Sequence, residues 1–596
     1  MHRSKFQSIN IQIEAVAELH PDKTAINIDD ETITYSELVK RINRFSNYLL
    51  SYQIPVQSNI LVYMDRSIDC VVAMLAVMNV GCVYVPLDPV HSATRVEYIL
   101  EDAVPFMVIT QSSLIESIKT DGDTLVIDLE AEASSEKIKL FSDLNPFVQL
   151  YPEYVMYMLY TSGTTGNPKG VIVHYRGVMN LLESVMKHWP LEKNVLQFAS
   201  LGFDASIPEW AGCLCKGGTL IMIKNRSLVL GNELLNVLEK YKVSIIKMPS
   251  AVLSTLDHIK DLPHLSTVVT AGDACTVDLV DKWANGRSFY NCYGPTEASI
   301  GSTMALCTQG QEKVNIGRPH PGIEIYILTE RMDRVKPFET GEIYIGGKGV
   351  SYGYYRKASL TAEKFLPNPF SSTGEVIYKT GDLGYFSEND EMHFAGRIDS
   401  QIKIRGFRVE LEEINSAVKK HPFINDAATI VISEEGTFES TLTGFFTSEG
   451  DESVSAADLK NYLKDYIPEY MIPTEFFQIS NFALTPNGKK NLEYLTDYYH
   501  ELKKQQYESV QNILVTDGST VENKLTEIWK LTLKVAVIDD KSNFFELGGT
   551  SLDAANVIAK IETELGVAPS IADLYETPDF LNFRILSEIF VKAFSN

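Results

Sequence analysis

Short apolar runs alternate with helix-period amphipathic segments over the first four hundred residues. The runs cover 24–28, 60–64, 106–110, 218–223, 243–246 and 267–270. Runs of this length are typical of buried strands, and strands that alternate with helices predict an α/β layered fold. Around 341–347 the strand pattern becomes denser, which predicts a small β-rich subdomain.

The pattern changes after the segment 396–399. A strand at 402–404, a helix at 411–421 and a strand at 427–432 predict a separate α+β lobe that ends near Leu492. The polar stretch 501–518 predicts a linker, and the helical patterns between Val521 and about Phe590 predict a helical bundle. We therefore expect four regions, with boundaries at 1–398, 399–500, 501–518 and 519–596.

Composition excludes several classes of protein. A chain of 596 residues is too long for one core, and its net charge of -25 argues against nucleic acid as a partner. No apolar run is long enough to span a membrane, and the first residues lack the apolar core of a signal peptide. Seven cysteines without a CxxC pair predict reduced thiols in the cytoplasm. We expect Cys213 and Cys215 in or beside a strand, without a metal.

The segment Ser162-Gly163-Thr164-Thr165-Gly166 has the composition of a phosphate-binding loop. Its glycines permit close approach, its backbone amides and hydroxyls are donors, and Lys169 adds a positive charge. It is not a Walker loop, because Pro168 precedes the lysine and Gly170 stands where Ser or Thr would bind magnesium. The alternative interpretation is a flexible turn between two strands.

A second candidate site lies near the C-terminus, at Gly548-Gly549-Thr550-Ser551. The two glycines precede an amphipathic stretch, so Ser551 is predicted at the N-terminus of a helix. Its hydroxyl would be suited to tethering an acyl group. The alternative is that Ser551 only caps that helix.

Segments along nearly the whole chain resemble the motifs of one family, in the family's order. They are 33–38, 84–89, 160–170, 291–297, 341–343, 378–383, 396–399, 403–406 and 486–489. Together they resemble the adenylation domain of a nonribosomal peptide synthetase, an adenylate-forming enzyme, followed by a peptidyl carrier domain. The order of these segments along the chain identifies the family much more specifically than any single motif does.

The resemblance implies a fold and a reaction. The fold would be a multidomain α/β protein: a large adenylate-forming core with a β-rich subdomain, a small mobile α+β lobe, and an all-α four-helix carrier bundle. The reaction would activate an amino acid with ATP and Mg²⁺ as an aminoacyl adenylate. The amino acid would then pass to a 4'-phosphopantetheine thiol on Ser551.

The resemblance also assigns residues to the nucleotide. Tyr293 would stack on adenine, Asn291 would read its amino edge and Thr296 would touch the α-phosphate. Glu297 would hold magnesium, and Asp382 would bind the ribose hydroxyls, although Asp382 could instead be a turn residue. The other implied ATP-binding residues are Thr161, Ser162, Gly163, Thr164, Thr165, Gly166, Lys169, Gly294, Phe394 and Arg397.

Two lysines and one aspartate would serve the mobile lobe. Lys489 would bridge the substrate carboxylate and the α-phosphate, because a fixed cation stabilises the charge that builds there. Asp399 would be the hinge that presents different faces of the lobe in the two half-reactions. Lys403 would lie on the face that is presented during thioester formation, or it is an ordinary exposed strand lysine.

The resemblance places Asp204 where an aspartate clamps the substrate's α-amino group, which favours an amino acid over an aryl or fatty acid. The remaining pocket positions would be Ala205, Pro208, Lys247, Val269, Ala271, Cys292, Ile300 and Gly301, with Lys489 closing the set. Lys247 suggests a carboxylate or amide on the substrate side chain, as in pockets for aspartate or asparagine. Pro208 and Cys292 depart from that pattern, and Lys247 could instead extend to solvent.

The implied partners are an amino acid, a phosphopantetheinyl transferase and a downstream condensation, modifying or other synthetase protein acting in trans. An MbtH-like activator is a further candidate. We expect a two-domain loading or in-trans module in the cytoplasm, with neither a membrane nor nucleic acid as partner. Two alternatives stay open: a stand-alone acyl- or aryl-CoA ligase, and a carrier scaffold whose adenylation half has decayed.

Overall fold

The computed structural model of the chain describes residues 6–119, 122, 124–163, 167–224, 231–254, 256, 262–398, 401–404, 407–433, 440–448, 454–483, 490–511, 521–533, 538, 542, 544, 547, 557, 560 and 561. The chain divides into two units, each described by itself. The first comprises Met1–Lys224, Leu238–Leu253 and Asp261–Glu410, and the second comprises Asn225–Val237, Ser254–Lys260 and Leu411–Asn596. The predicted boundaries of the four regions stay predictions.

Strands and helices alternate along the chain up to Glu410. The strands are β1 Thr24–Ile28, β2 Glu31–Thr34, β3 Asn59–Tyr63, β4 Val83–Leu87, β5 Met107–Thr110, β6 Leu125–Asp128, β7 Val155–Thr161, β8 Lys169–His174, β9 Asn194–Leu196, β10 Thr219–Met222, β11 Ile245–Met248, β12 Thr267–Ala271, β13 Ser288–Tyr293, β14 Thr303–Cys307, β15 Arg318–Pro319, β16 Ile323–Leu328, β17 Gly341–Gly347, β18 Phe365–Pro367, β19 Val376–Phe386, β20 Met392–Arg397, β21 Gln401–Ile404 and β22 Phe407–Glu410. The α-helices are α1 Ile9–Leu19, α2 Tyr35–Leu50, α3 Ile68–Asn79, α4 Ala93–Ala103, α5 Glu132–Lys139, α6 Tyr175–Val185, α7 Ile207–Lys216, α8 Gly231–Lys240, α9 Ser250–Ser254, α10 Val277–Trp283 and α11 Ala358–Lys364.

Two sheets form the layered part of the first unit. One has six strands in the order β6-β5-β3-β4-β7-β8, parallel except for the β7–β8 pair. The other has nine strands in the order β15-β14-β13-β12-β11-β9-β10-β1-β2, with a parallel centre and antiparallel edges. Helix α3 is buried on all sides except at the exposed Asp69 in its first turn, as expected of a helix inside a core. The predicted α/β layered fold is confirmed.

A third sheet and a hairpin complete the first unit. The sheet is antiparallel with five strands: β16, β17, β19 and β18 pair in that order, and β20 pairs with β19. It is the β-rich subdomain that the dense strand pattern around 341–347 predicts. The hairpin pairs β21 with β22 and places Lys403 opposite Arg408.

The second unit contains a small sheet and several helices. Its strands are β23 Ile424–Ser433, β24 Ser440–Ser448 and β25 Glu475–Gln478, and its helices include α12 Leu411–Val418, α13 Ala456–Leu463, α14 Leu492–Gln511 and α15 Val521–Leu533. Strand β24 pairs antiparallel with β23 and parallel with β25. This α+β arrangement agrees with the lobe predicted from the sequence. Among the described residues, no helix combines the length and apolar character needed to cross a bilayer.

The structure corrects one prediction. Cys213 and Cys215 do not lie in or beside a strand but in helix α7, which is buried along most of its length. The helix ends at Gly217, whose backbone is left-handed with φ of +76°, and β10 begins only at Thr219. The apolar residues of this segment are buried on several sides of a helix, and such a pattern resembles that of a buried strand. All seven cysteines are free thiols.

Candidate active site

The first unit brings together every candidate site residue that the structure describes. Strands β7 and β8 flank the phosphate loop, so Ser162 follows one strand and Lys169 begins the other. Pocket positions lie near the carboxyl ends of β11, β12 and β13, where the register pairs Lys247 with Val269 and Ala271 with Cys292. Carboxyl ends of parallel strands are a usual place for ligands in α/β folds. Six candidates lie outside the described residues: Thr164, Thr165, Gly166, Asp399, Lys489 and Ser551.

Glu297 is the most enclosed acid of the site. It lies in a 3-10 helix over Thr296–Ala298 and has no solvent exposure. Nη1 of Arg408 donates to its two carboxylate oxygens over 3.0 and 2.8 Å, and the Tyr354 hydroxyl donates over 2.8 Å. Nζ of Lys169 lies 3.7 Å from Oε1. Burial opposes ionisation, but Arg408 and Lys169 outweigh it and lower the pKa of Glu297 to about 2.

Lys169 is buried beside an aromatic ring. Its Nζ lies 4.7 Å from the centre of the Tyr354 ring and 3.5 Å from the Tyr354 hydroxyl. Burial and the charge of Arg408 lower the pKa of Lys169 to about 8, although Glu297 acts in the opposite direction. The lysine therefore carries a proton near neutral pH.

Asp382 is held by two neighbours. The Tyr293 hydroxyl donates to its carboxylate over 2.6 Å, and Arg397 forms an ion pair with it. The Asp382 backbone amide donates to the Thr380 hydroxyl over 2.9 Å. The carboxylate thus has a fixed orientation beside the ring assigned to adenine, as ribose binding requires.

Phe394 and Lys403 lie close to Tyr293, the residue assigned to stacking on adenine. The Phe394 ring lies 6.5 Å from the Tyr293 ring, inclined by 42°, and Lys403 places its Nζ 5.9 Å from the Tyr293 ring centre. Burial lowers the pKa of Lys403, although Asp382 and Asp273 favour its charge. Asn291 directs its side-chain amide to the Asn315 carbonyl over 2.9 Å. A Cβ on Gly294 would lie 2.6 Å from the Ile300 carbonyl oxygen, so glycine is required there.

Asp204 begins the 3-10 helix Asp204–Ser206, directly before helix α7. Thr296 donates a hydrogen bond to its carboxylate, and Lys247 is close enough to act on it electrostatically. Burial nevertheless raises the pKa of Asp204. The Tyr157 hydroxyl nearby is buried without a hydrogen-bond partner among the described residues. A carboxylate short of positive charge is a suitable partner for a substrate ammonium group.

Lys247 is half-buried and donates through Nζ to the Ala205 carbonyl over 3.1 Å. Glu209, one helical turn after Ala205, lies within its electrostatic reach. This acid accepts hydrogen bonds from the backbone amides of Phe198 and Ala199, each over 3.1 Å. Burial raises the pKa of Glu209 to about 7, against the effects of Lys247 and Arg66. Lys247 is therefore held within the pocket rather than extended to solvent.

The remaining pocket positions are small or apolar. Pro208 stands in the first turn of α7, and burial raises the pKa of the Cys292 thiol to about 12. Ile300 has a φ of +77°, which is strained for a β-branched side chain, and a Cβ on Gly301 would lie 3.1 Å from Leu181. Among the predicted pocket positions, Ile300 therefore carries backbone strain.

A magnesium ion fits this site only together with a nucleotide. The described residues contain no group of three or more His, Cys, Asp or Glu that could hold a metal by themselves. Magnesium commonly takes one or two carboxylates and completes its shell with phosphate oxygens and water. Glu297, ionised at neutral pH beside the phosphate loop, would supply the protein carboxylate, and the bound ion would neutralise phosphate charge.

Residues 13–355 match the AMP-binding enzyme family, residues 413–489 its C-terminal domain, and residues 523–582 the phosphopantetheine attachment site. The chain belongs to the AMP-binding enzyme family. The order of matches confirms the predicted organisation, an adenylation domain followed by a carrier domain.

The relatives of this AMP-binding enzyme are larger synthetases, and the chain matches one part of each. It is 34% identical to the phosphinothricin tripeptide synthetase PhsC of Streptomyces viridochromogenes over 579 residues, which is 95% of this chain and 52% of that protein. It is 32% identical to tyrocidine synthase 1 of Brevibacillus parabrevis over 597 residues, covering 98% of this chain and 53% of that protein. Its match to bacitracin synthase 3 of Bacillus licheniformis, 32% identical over 574 residues, covers 94% of this chain and 9% of that protein. The chain thus spans about half or less of these relatives.

A solved structure supports the fold. Holo-PA1221, a nonribosomal peptide synthetase protein with adenylation and PCP domains bound to a vinylsulfonamide inhibitor, aligns with a TM-score of 0.79. The identity is 22%, and the alignment covers 98% of this chain and 96% of that one. The predicted multidomain α/β fold, with adenylation core, smaller lobe and carrier region, is confirmed.

Three residues of the site were not assigned from the sequence: Arg408, Tyr354 and Glu209. Arg408 carried a weak signal, because it stands in the same short segment as Lys403, but its partner Glu297 lies more than a hundred positions earlier. Tyr354 and Glu209 are buried, and the residues beside them in the sequence form no motif that predicts these contacts. Their contacts depend on long-range folding, which a local pattern does not encode.

Proposed function

We propose that the chain activates an amino acid with ATP and then loads it onto its own carrier domain. The observation that carries this proposal is the joint presence of an AMP-binding domain and a phosphopantetheine attachment site in one chain. Asp204, Lys169, Glu297 and Asp382 supply the chemistry that such an activation needs, within one unit.

In the first half-reaction an oxygen of the amino acid carboxylate attacks the α-phosphorus of ATP, and pyrophosphate leaves. Asp204 holds the α-ammonium group, and Lys169 with Ser162 binds phosphate oxygens. Asp382 orients the ribose and Lys489 neutralises the two anions that approach each other. Glu297 would hold the magnesium ion that neutralises phosphate charge.

In the second half-reaction Ser551 would hold the phosphopantetheine arm, whose thiol would supply the nucleophile for the carbonyl carbon of the aminoacyl adenylate. The electrons of the broken carbon–oxygen bond would leave with AMP. Thiolate is a strong nucleophile and the phosphate ester a good leaving group, so the transfer needs positioning more than acid–base help.

Lys247 supports aspartate or asparagine as the substrate. Its ammonium donates to the Ala205 carbonyl, next to Asp204, and has further donors for a side-chain carboxylate or amide. The side chain of aspartate or asparagine would place its oxygen on the second carbon beyond the α-carbon, which Asp204 orients through the amino group.

The proposed partners follow from the carrier domain. A phosphopantetheinyl transferase would convert Ser551 to the holo form, and a condensation, modifying or other synthetase protein would accept the amino acid in trans. An MbtH-like protein is a further proposed partner. The proposed location is the cytoplasm, where the seven free thiols stay reduced.

Intact-protein mass spectrometry tests the proposal. The phosphopantetheinylated chain is incubated with ATP, magnesium and a pool of amino acids, and we expect an aminoacyl adduct on the arm. Ser551→Ala should keep ATP–pyrophosphate exchange and lose the adduct, whereas Ser542→Ala, the matched control, should keep both. Absence of exchange with every amino acid would contradict the proposal and favour a decayed adenylation half.

The substrate assignment has its own test. In a pyrophosphate exchange panel with single amino acids, aspartate or asparagine should give the highest rate. Lys247→Met should lower the rate with that substrate roughly 10- to 100-fold, because a charge-assisted hydrogen bond is lost. A preferred apolar substrate that is indifferent to this change would exclude the role proposed for Lys247.

A further inference from the structure

A buried histidine lies beside the predicted pocket position Gly301. His320 follows the short strand β15, and its backbone amide donates over 2.9 Å to the carbonyl of Ser302, the residue after Gly301. A Cβ built on Gly301 would lie 3.7 Å from Nε2 of His320. Gly301 is half-buried and has no side chain, so this position leaves the space in front of Nε2 open to a ligand.

We propose that His320 is a specificity-determining residue of the amino acid pocket, which donates a hydrogen bond from Nε2 to an oxygen of the substrate side chain. This inference rests on the proposed function, because it concerns the substrate of that same site. Lys247 would approach the side chain from the Ala205 side, and His320 would approach it from the Gly301 side. A carboxylate or amide oxygen has lone pairs for both donors. Ser184 is a positioning residue that acts through His320.

The first argument is the tautomer of the imidazole. Nδ1 of His320 lies 2.8 Å from the Ser184 hydroxyl, and both side chains are buried. Among the described residues, Nδ1 is the only hydrogen-bond partner of that hydroxyl. A buried hydroxyl without an acceptor is unfavourable, so Ser184 donates and Nδ1 accepts. The single N–H of a neutral imidazole is then on Nε2, which has no hydrogen-bond partner in the described part of the chain.

The imidazole is neutral under ordinary conditions. Burial lowers the pKa of His320 to about 4, and the charge of His188 acts in the same direction. The assignment of the proton to Nε2 therefore holds at neutral pH. A neutral N–H donor can serve a substrate oxygen without adding a second buried charge to the pocket that already holds Lys247.

The second argument is the attachment of the segment after β15 to helix α6. Ser184 holds His320, and one turn earlier Asn180 donates to the Pro321 carbonyl over 2.7 Å. Residues four apart lie on the same face of a helix, so one face of α6 fastens two consecutive residues of the segment. A donor that is fixed in advance loses little conformational entropy when a ligand binds, and it selects ligands by geometry.

The third argument is the position of α6 relative to a pocket strand. Tyr290 and Cys292 point to the same face of β13, because side chains two residues apart in a strand share a face. The Tyr290 hydroxyl donates over 3.5 Å to the carbonyl of His188, just after α6. Cys292 is a predicted pocket position. The end of α6 that carries Ser184 therefore lies on the pocket face of β13.

Substrate selectivity tests the proposal. ATP–pyrophosphate exchange is measured with each polar amino acid beside an apolar one of similar shape, such as asparagine beside leucine. His320→Leu should lower kcat/KM for the preferred polar amino acid about 10-fold relative to its apolar counterpart, because one hydrogen bond is lost, and should leave the KM for ATP unchanged. His320→Gln, whose amide nitrogen can replace Nε2, should recover most of the selectivity. His20→Leu, at an exposed histidine after α1, is the matched control.

Binding without turnover gives the second readout. The Kd for the preferred amino acid is measured by calorimetry on the full chain in the presence of α,β-methylene-ATP. Ser184→Ala should raise this Kd roughly 3-fold, because the imidazole loses the bond that keeps its proton on Nε2. Gly301→Ala should raise it at least as much as His320→Leu does, because the added methyl group stands 3.7 Å in front of Nε2.

Three results would overturn the role of His320 while leaving the proposed function in place. They are a wild-type preference for apolar amino acids, an unchanged selectivity and Kd in His320→Leu, and an equal fall in kcat/KM for polar and apolar amino acids in that variant. The last result would mean that His320 and Ser184 only support the fold. A wild-type chain without pyrophosphate exchange for any amino acid would instead refute the proposed function.

Discussion

Glu297 and Glu209 are both buried glutamates of one unit, yet their acidities are shifted in opposite directions. Burial raises the pKa of Glu209 to about 7, whereas Arg408 and Lys169 overcome burial and bring the pKa of Glu297 to about 2. Glu209 accepts hydrogen bonds mainly from backbone amides, and its neighbouring cations act on it without direct contact. A contacting cation, rather than depth of burial, decides which carboxylate stays ionised.

The difference fits the two ligands proposed for the site. In the region proposed for the nucleotide, Lys169 and Arg408 both form ion pairs with Glu297, and cations of this kind would suit a polyphosphate. In the region proposed for the amino acid, burial raises the pKa of Asp204 even though Thr296 donates a hydrogen bond to it and Lys247 favours its charge. A substrate ammonium would add a partner for that carboxylate.

The largest effect should come from removing a cation on the nucleotide side. Lys169→Ala should lower the ATP–pyrophosphate exchange rate by roughly 100- to 1000-fold, because one fixed charge near the phosphates is lost. Lys169→Arg keeps the charge, so its exchange rate should fall less. Lys240→Ala, on an exposed surface, should exchange at the wild-type rate. An exchange rate in Lys169→Ala within a few-fold of the wild type would contradict the assignment of this lysine to phosphate.

On the amino acid side, Asp204→Asn should raise the KM for the amino acid roughly 10- to 100-fold, since a hydrogen bond between two charges becomes one between a charge and an amide. The KM for ATP should change little. Steady-state exchange kinetics with each substrate varied in turn separate the two. Asp333→Asn, in an exposed turn, is the control, and an equal rise in both KM values would argue for general distortion of the site.

The raised pKa of Glu209 predicts that the free energy of unfolding depends on pH. The folded chain keeps the Glu209 proton up to about pH 7, whereas an unfolded chain releases it near pH 4.5. The folded state therefore binds more protons between these values, and the stabilisation present below pH 4.5 is lost as pH rises to 7. The loss amounts to about 3 kcal/mol in the free energy of unfolding.

Urea unfolding of the wild type and Glu209→Gln at pH 5 and pH 7.5 measures this contribution. The wild type should lose more stability than the variant over that interval. Parallel losses in the two proteins would show that Glu209 is ionised throughout and that the contrast with Glu297 is smaller than the structure indicates.

The smallest effect should come from Tyr354, the uncharged partner of Glu297. Tyr354→Phe removes one hydrogen bond to Oε1 and leaves Arg408 and Lys169 in place. Pyrophosphate exchange should fall by roughly 3- to 10-fold, as expected for a single hydrogen bond to a charged group. Tyr355→Phe is the matched control. A fall in exchange rate as large as that of Lys169→Ala would mean that the Tyr354 hydroxyl, and not the two cations, keeps the Glu297 carboxylate in its functional state.

Local patterns predict much of the fold, whereas the roles of the site residues follow from the family resemblance and stay predictions. Strand β1 follows the apolar run 24–28 residue for residue, and the dense strand pattern near 341–347 corresponds to the five-stranded sheet. Cys213 and Cys215 were misplaced because buried helices and buried strands share an apolar pattern. The roles of Lys489 and Ser551 stay predictions, since both lie outside the described residues.

The sequence by itself determined which chemistry the chain carries, because short motifs with defined spacing hold the glycines, hydroxyls, carboxylates and lysines. It also determined the alternation of strands and helices, since hydrophobic periodicity is a local property. Only the tertiary structure decided which charges meet. Lys169, Glu297 and Arg408 come from segments far apart in the chain, and their contact sets the acidity of Glu297. Electrostatic energy depends on distance in space, and spacing along the chain does not encode that distance.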